Sequence, residues 1–288
     1  MGVYSTKKTL TTTTQPTKRW IGILALTLGL TLSQACKTGK PLHYAQGQNI
    51  VVHTDSIIAF HNNAISSFLK PYHDSLTIKM SQPIVSIDTV FSNQYTVGNL
   101  GNLTADYMVE FGNNYFKNNH LQSTSHPNNM EQYCDFAVLN NGSLRNGLSP
   151  GNISLGDIFE AMPYENILVI IQLTGAQTDS LFQHIASNNG AYLSNASCTI
   201  NNKKAENILI NGSRFDSRKS YILAINDYMA VGGDGYSICK QAKPVWNTGI
   251  TVREALIQGL QNEYNLTKSI NPRPQPRIKL MQPSNSRY

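Results

Sequence analysis

The chain has 288 residues, 40% hydrophobic and 14% charged, an ordinary globular balance that fits one large domain or two small ones. Its formal charge of +6 is badly placed for a polyphosphate backbone: Lys7, Lys8, Lys18 and Arg19 precede residue 36 and no acid does, so 19 bases face 17 acids in the remainder. With no dense Lys/Arg stripe and no interleaved aromatics, nucleic acid is set aside as a partner.

Residues 1–35 follow the order of an export signal: a basic, Thr-rich start, the apolar run Trp20 to Leu32, and Ser33-Gln34-Ala35-Cys36. The run is too short for a comfortable membrane span. A cysteine after a small residue resembles a bacterial lipobox, with Ser33 where leucine is usual. Cys36 is therefore the expected lipid-carrying first residue, and the mature protein is expected to be exported and anchored to the bacterial envelope, on the periplasmic face or the outer-membrane surface. An ordinary cleaved signal or a stray cysteine is the alternative. Residues 36–53 are polar and Gly-containing, a tether ahead of a domain over residues 54–265.

Asp55 is placed to cap a helix through Ile57, Ile58, Ile65, Phe68 and Leu69, with Pro71-Tyr72 ending it. A strand from Ile84 to Val90 follows, then an amphipathic helix from Asn99 or Asn102 to about Phe116. Residues 118–129 are loop-forming. Phe136 to Leu139 has the composition of a buried strand, and Ser154-Leu155-Gly156-Asp157 the spacing of a capping box, opening a short helix to Met162. Ile167 to Leu173 is a continuous apolar strand, after which Thr174 caps a helix reaching Ser187. Strands near Ser197 to Ile200 and Asn207 to Ile210 straddle a turn. Then come a strand from Tyr221 to Ile225, a glycine-rich loop, and a helix from Val252 to Tyr264. Pro272, Pro274 and Pro276 stiffen a C-terminal extension over residues 266–288. Beyond the leader there is one composition class and no repeat, hence one α/β (α+β) domain.

Metal hydrolysis has no visible ligand set, because the seven histidines show no H-x-H, H-E-x-x-H or D-x-H spacing. No G-x-S-x-G elbow positions a serine nucleophile. Beyond Cys36, the odd set Cys134, Cys198 and Cys239 leaves either one disulfide of undetermined pairing or buried free thiols. Binding groups are better represented. Asn226 to Tyr236 places Tyr228 and Asp234 beside Gly232, Gly233 and Gly235 at a strand end, where bare backbone admits a ligand. Standing alone, such a loop is a tight turn, Arg145 a solvated charge and Tyr164 a core tyrosine.

Together they are more informative. Asn140 to Arg145, Gly151 to Asp157, Met162 to Asn166, Leu173-Thr174-Gly175 and Asn226 to Tyr236 resemble, in order and spacing, the C-terminal domain of 5'-nucleotidases. The resemblance spans roughly Asp55 to Glu263. It implies a single mixed-sheet, layered domain that recognises a nucleotide or nucleoside, with Tyr164 and Tyr228 stacking on the base. By the same resemblance Asn166 bonds the base, Gly190 lies against it, Asp234 takes the ribose hydroxyls, and Arg145 with Asn140 lies near ribose and phosphate. Asn99 stands where the family often has an arginine, which weakens the phosphate side. The family's D-x-H, G-D, G-N-H-E and G-H-x-H metal motifs have no counterpart ahead of Asp55. This polypeptide is therefore expected to carry no metal or other cofactor. Divalent ions belong to a metallophosphatase partner supplied in trans; the alternative is a non-catalytic scavenging lipoprotein.

Overall fold

The computed structural model describes residues 64–94, 98–119, 133–273 and 276–281. The leader, Cys36, the tether and the Asp55 cap lie outside the described residues. All but the first three described residues fall in a compact unit from Ser67 to Tyr288.

The central layer is a mixed five-stranded sheet of β2 (Phe136–Leu139), β4 (Ile167–Thr174), β5 (Tyr192–Ser194), β9 (Ser220–Asn226) and β10 (Val245–Thr251), in the order β10-β4-β9-β2-β5. β2 runs parallel to β9, whereas β4 is antiparallel to β9 and β10, and β5 to β2. Its inner strands read as unbroken apolar runs because both faces are covered. Side chains alternate between two cores: Leu139, Leu168, Ile170 and Ala224 enter one, and Val138, Val169, Ile171, Leu223 and Ile225 the other.

The first face is covered by helices α2 (Asn99–Asn118) and α6 (Val252–Thr267), and the second by α4 (Gly175–Ser187) with a further sheet. In that sheet β6 (Ala196–Asn201), β7 (Lys204–Ile210) and the two-residue β8 (Ser213–Arg214) form an antiparallel meander. A separate antiparallel pair joins β1 (Pro83–Ile87) and β3 (Gly151–Ser154). Close approach of α2 to β5 requires Gly101, where a Cβ would fall 2.1 Å from the Tyr192 ring.

Helix starts follow the local chemistry expected. Ser154 and Asp157 cap each other's backbone at α3 (Leu155–Ala161), and Thr174 with Gln177 does the same at α4. Thr251 with Glu254 forms a third such box at α6, whose start was anticipated without its cap.

Four expectations are corrected. Helix α1 (Ala64–Met80) passes through Pro71 to Met80; a proline removes one intrahelical hydrogen bond, and this helix continues past that loss. The first strand stops at Ile87, with only an isolated bridge from Phe91 to Leu148 beyond it. Strands β3, β5, β8 and β10 were not foreseen, being short or, in β10, irregular in register between Asn247 and Thr251. The proline-rich C-terminal segment rejoins the fold as β11 (Ile278–Leu280), parallel to β6 with Ile278 buried. Arg277 fixes it there through both Asp106 oxygens at 2.7 Å. Arg273 bonds Glu263 and approaches Asp106 at 3.4 Å.

Cys134, Cys198 and Cys239 are buried free thiols. Desolvation pushes Cys198 from 9.0 up to about 11 and Cys239 up to about 12. It raises Cys134 as well, with a smaller contribution from Asp135. Raised folded-state values mean that the unfolded chain loses its thiol protons first as pH increases. The stability is therefore complete below about pH 9 and declines as pH climbs through 11 and 12. Urea midpoints measured across that window are expected to fall with pH, and substituting the three cysteines by serine or alanine should flatten the decline.

Candidate functional site

The ends of β2 and β9 point the same way because these strands are parallel, and the antiparallel β4 begins beside the end of β9, with Leu168 opposite Asn226. Three loops therefore meet at one edge of the sheet: Asn140 to Arg145, Tyr164 to Asn166, and Asn226 to Tyr236. Between them is a cavity of about 220 Å³ lined by Asn140, Gly142, Ser143, Arg145, Tyr164, Asn166, Tyr228 and Asp234.

Asp234 is the best-fixed member. Its Oδ2 accepts from Asn140 Nδ2 at 2.6 Å and its Oδ1 from the Tyr228 hydroxyl at 2.9 Å. Its backbone is left-handed (φ 49°), a conformation that Asp and Asn tolerate better than most residues. The carbonyl of Asp234 meets His184 Nε2 at 3.0 Å, and the His184 ring packs edge-on against the buried Tyr236.

Behind Asn140 is a buried polar relay. Asn226, fully buried at the end of β9, donates to Asn140 Oδ1 at 2.9 Å and to Ser143 Oγ at 3.2 Å. Its own Oδ1 caps the four-residue helix α5 (Asp227–Ala230) by accepting from the Met229 amide. Thus the cap that starts α5 also sets the side chain that holds Asp234.

The two tyrosines are each about half exposed, Tyr164 at 44% and Tyr228 at 43%. The Tyr228 ring lies against Gly233, where a Cβ would come within 2.4 Å of it. Tyr164 is carried by a loop that Arg253 holds from inside. Arg253 is 5% exposed, and its guanidinium donates to the carbonyls of Met162, Pro163 and Tyr164, pairs with Glu165 at 3.1 Å, and lies 3.9 Å from the Phe159 ring centroid. Arg145 donates through Nη2 to the Tyr164 hydroxyl, its Cζ 5.3 Å from the ring centroid.

Six of the seven expected binding residues thus share one cavity. Gly190 is not among the lining residues: it is buried, its φ of 91° closes the turn after α4, and its carbonyl receives the Asn141 side chain at 3.0 Å. Gly142, Ser143, Asn226 and Arg253 were missed. Ser143 and Asn226 sit inside recognised loops and were within reach of sequence reasoning, whereas the main partners of Arg253 lie 88 to 91 residues away. Among the described residues no group of three or more His, Cys, Asp or Glu is placed to hold a metal ion.

The fold is a mixed α/β layer in which aromatic, amide and carboxylate groups converge on one cavity at the strand ends, the place where sheets of this kind commonly offer a ligand pocket. Residues 79–241 match the family model described as 5'-nucleotidase, C-terminal domain, and the chain belongs to that family. It is 31% identical over 141 residues to Protein UshA of Yersinia enterocolitica, covering 47% of this chain and 26% of that protein. To a 5'-nucleotidase of Vibrio vulnificus it is 31% identical over 133 residues, covering 44% and 24%. The chain thus matches about a quarter of the length of these relatives. Among solved structures, a 5'-nucleotidase precursor from Thermus thermophilus shares the fold with a TM-score of 0.62 at 20% identity, over 76% of this chain and 43% of that one.

Proposed function

We propose that this chain is a nucleotide- or nucleoside-recognising domain that supports 5'-nucleotide phosphate-ester hydrolysis, in nucleotide catabolism, together with a metallophosphatase domain carried by a separate chain. The observation that carries the reading is the convergence of two half-exposed tyrosine rings and one immobilised carboxylate on a single cavity. A base stacks on a ring face whatever its identity, with about 1 to 3 kcal/mol per contact. Asn166 meets the base edge. Each Asp234 oxygen keeps a lone pair beyond its bond to Asn140 or Tyr228, so both remain acceptors for ribose hydroxyls. The partner's divalent ions would activate water and polarise the ester.

The same cavity also suits a non-catalytic scavenging lipoprotein. Calorimetry with adenosine and AMP tests the site itself, and undetectable binding of both sinks the two readings together. Mixing the protein with purified periplasmic metallophosphatases separates them: raised nucleotidase activity supports the partner, and unchanged activity supports scavenging.

Two further outcomes follow from this reading. Gly233→Ala is expected to displace the Tyr228 ring and weaken adenosine binding about tenfold, with little change in melting temperature because the ring that gives way is half exposed. The lipid anchor proposed at Cys36 would place the protein in the membrane fraction. Cys36→Ala should release it to the soluble fraction and abolish labelling by a clickable fatty acid.

A further inference from the structure

We infer that α1 lies on a lipid bilayer, its apolar side seated among the headgroups of the membrane that carries the Cys36 anchor. The inference rests on the reading of Cys36 as a lipid attachment and adds a second membrane contact, on an element that does not line the cavity.

Every residue from Ser67 to Lys79 is exposed, so no side of this helix is buried against the domain. A helix of 17 residues with a proline inside gains little from its own hydrogen bonds, because most helical stability in proteins comes from burying an apolar side. At about 100° per residue, Phe68, Leu69, Tyr72 and Leu76 share one side. All four are at least half exposed, and the Phe68 and Tyr72 rings adjoin with centroids 6.0 Å apart. Ser67, Lys70, Asp74 and Thr77 form the opposite side, where Lys70 pairs with Asp74 at 2.8 Å. Ile78 is the exception, an exposed apolar residue among the polar ones.

The make-up of the apolar side suits a membrane surface. Tyr72 joins an apolar ring to a hydroxyl, the combination that settles at the boundary of acyl chains and headgroups. Lys79 falls within the arc of the apolar stripe, where its methylene stem can lie along acyl chains while its ammonium reaches lipid phosphates. The helix has two lysines against one aspartate, a balance that favours an anionic surface.

The length of chain ahead selects the bilayer over a protein. Residues 37–63 connect Cys36 to α1 and span at most about 90 Å. An acyl anchor at Cys36 therefore keeps the helix beside that membrane at an effective concentration on the order of millimolar, far above the level of an untethered partner. Four apolar side chains suffice for a tethered contact, although they would hold a free chain only weakly. At its other end the helix is fixed to the domain: β1 begins after two residues, and the Gln82 carbonyl accepts from the Leu155 amide at 2.9 Å. Seating α1 thus sets the orientation of the domain over the membrane, which a single acyl attachment does not.

The test uses the full acylated protein in vesicles of phosphatidylethanolamine and phosphatidylglycerol. A fluorescent NBD group is attached at Leu76→Cys or, on the polar side, at Thr77→Cys; Cys134, Cys198 and Cys239 are buried and leave the new thiol as the reactive one. The probe at 76 is expected to shift to shorter wavelength and to be quenched by doxyl-labelled lipid, while the probe at 77 stays open to aqueous iodide. Adding Phe68→Ser and Leu69→Ser should abolish the lipid quenching at 76 with the melting temperature unchanged, since both side chains are exposed. A probe at 76 that stays open to iodide, or equal lipid quenching at 76 and 77, overturns the inference. So does shielding at 76 without lipid quenching, whether it comes with crosslinking between two copies or only on addition of a metallophosphatase. Each of these outcomes leaves the Cys36 reading intact where a clickable fatty acid labels that residue; absence of the label overturns both.

Discussion

Asp234→Asn is expected to weaken adenosine binding by about 10- to 100-fold, the loss that follows from removing hydrogen bonds to a charged acceptor worth about 1.5 to 3 kcal/mol. The fold should be almost unaffected. Asn accepts the left-handed backbone at this position, where φ is 49°, so the substitution adds no steric penalty of the kind that Ala would bring. The amide can also keep the local contacts, with Oδ1 toward Asn140 and Nδ2 toward the Tyr228 hydroxyl, which then accepts in place of donating. What it cannot keep is a negative charge and two acceptors for a pair of ribose hydroxyls. The matched control is Tyr228→Phe, which preserves the ring and frees one carboxylate oxygen. Its adenosine affinity should stay within about fivefold of wild type, because the bond it removes lies within the protein and the freed carboxylate oxygen can take a ribose hydroxyl in its place. Calorimetry and thermal melts on both variants read the result. An Asp234→Asn protein that binds adenosine as well as wild type would remove the carboxylate from the proposed ribose contact.

The contrast between what was legible in the sequence and what was not follows the range of the interactions. Capping boxes at Ser154 and Thr174 are decided within four residues, and they stand where their spacing put them. β4 and β9 declare themselves because both faces are buried, which enforces the unbroken apolar runs of residues 167–171 and 221–225. The cavity was legible for a related reason: its groups lie in loops that the sheet's strand order brings together, and each loop carried its polar residues in a short block. Strand β11 was hidden because Arg277, Ile278 and their neighbours form a strand only by pairing with β6 and by reaching Asp106 on α2, far back in the chain. Pro71 misled for the opposite reason. Local chemistry marks proline as a helix terminator, yet α1 runs on through Pro71 to Met80 despite the lost hydrogen bond. Gly190 stands apart from the other six because its positive φ closes the turn after α4, and it is not among the residues that line the cavity.

Arg253 is the residue through which fold and site are joined, and its loss should be felt in both. Its guanidinium is buried, gathers the carbonyls of Met162, Pro163 and Tyr164, pairs with Glu165 and stacks on Phe159. Arg253→Met fills much of the volume but leaves those carbonyls without their donor and Glu165 without its partner. The expected loss is about 2 to 4 kcal/mol of stability, less than the sum of the individual bonds because the loop is near the surface and water can replace some of them. For a domain of this size that is a melting temperature lower by about 5 to 15 °C. Arg253→Lys should recover only part of it, since a compact ammonium cannot span three carbonyls and stack on a ring at once. The second consequence is at the cavity: with the Met162 to Glu165 loop no longer pinned, Tyr164 must be ordered by the ligand itself. Adenosine binding is then expected to weaken by about tenfold in Arg253→Met, measured well below the lowered melting temperature so that unfolding does not contribute. If stability falls as expected but adenosine affinity does not, Arg253 supports the fold alone, and the Tyr164 ring keeps its position by other means.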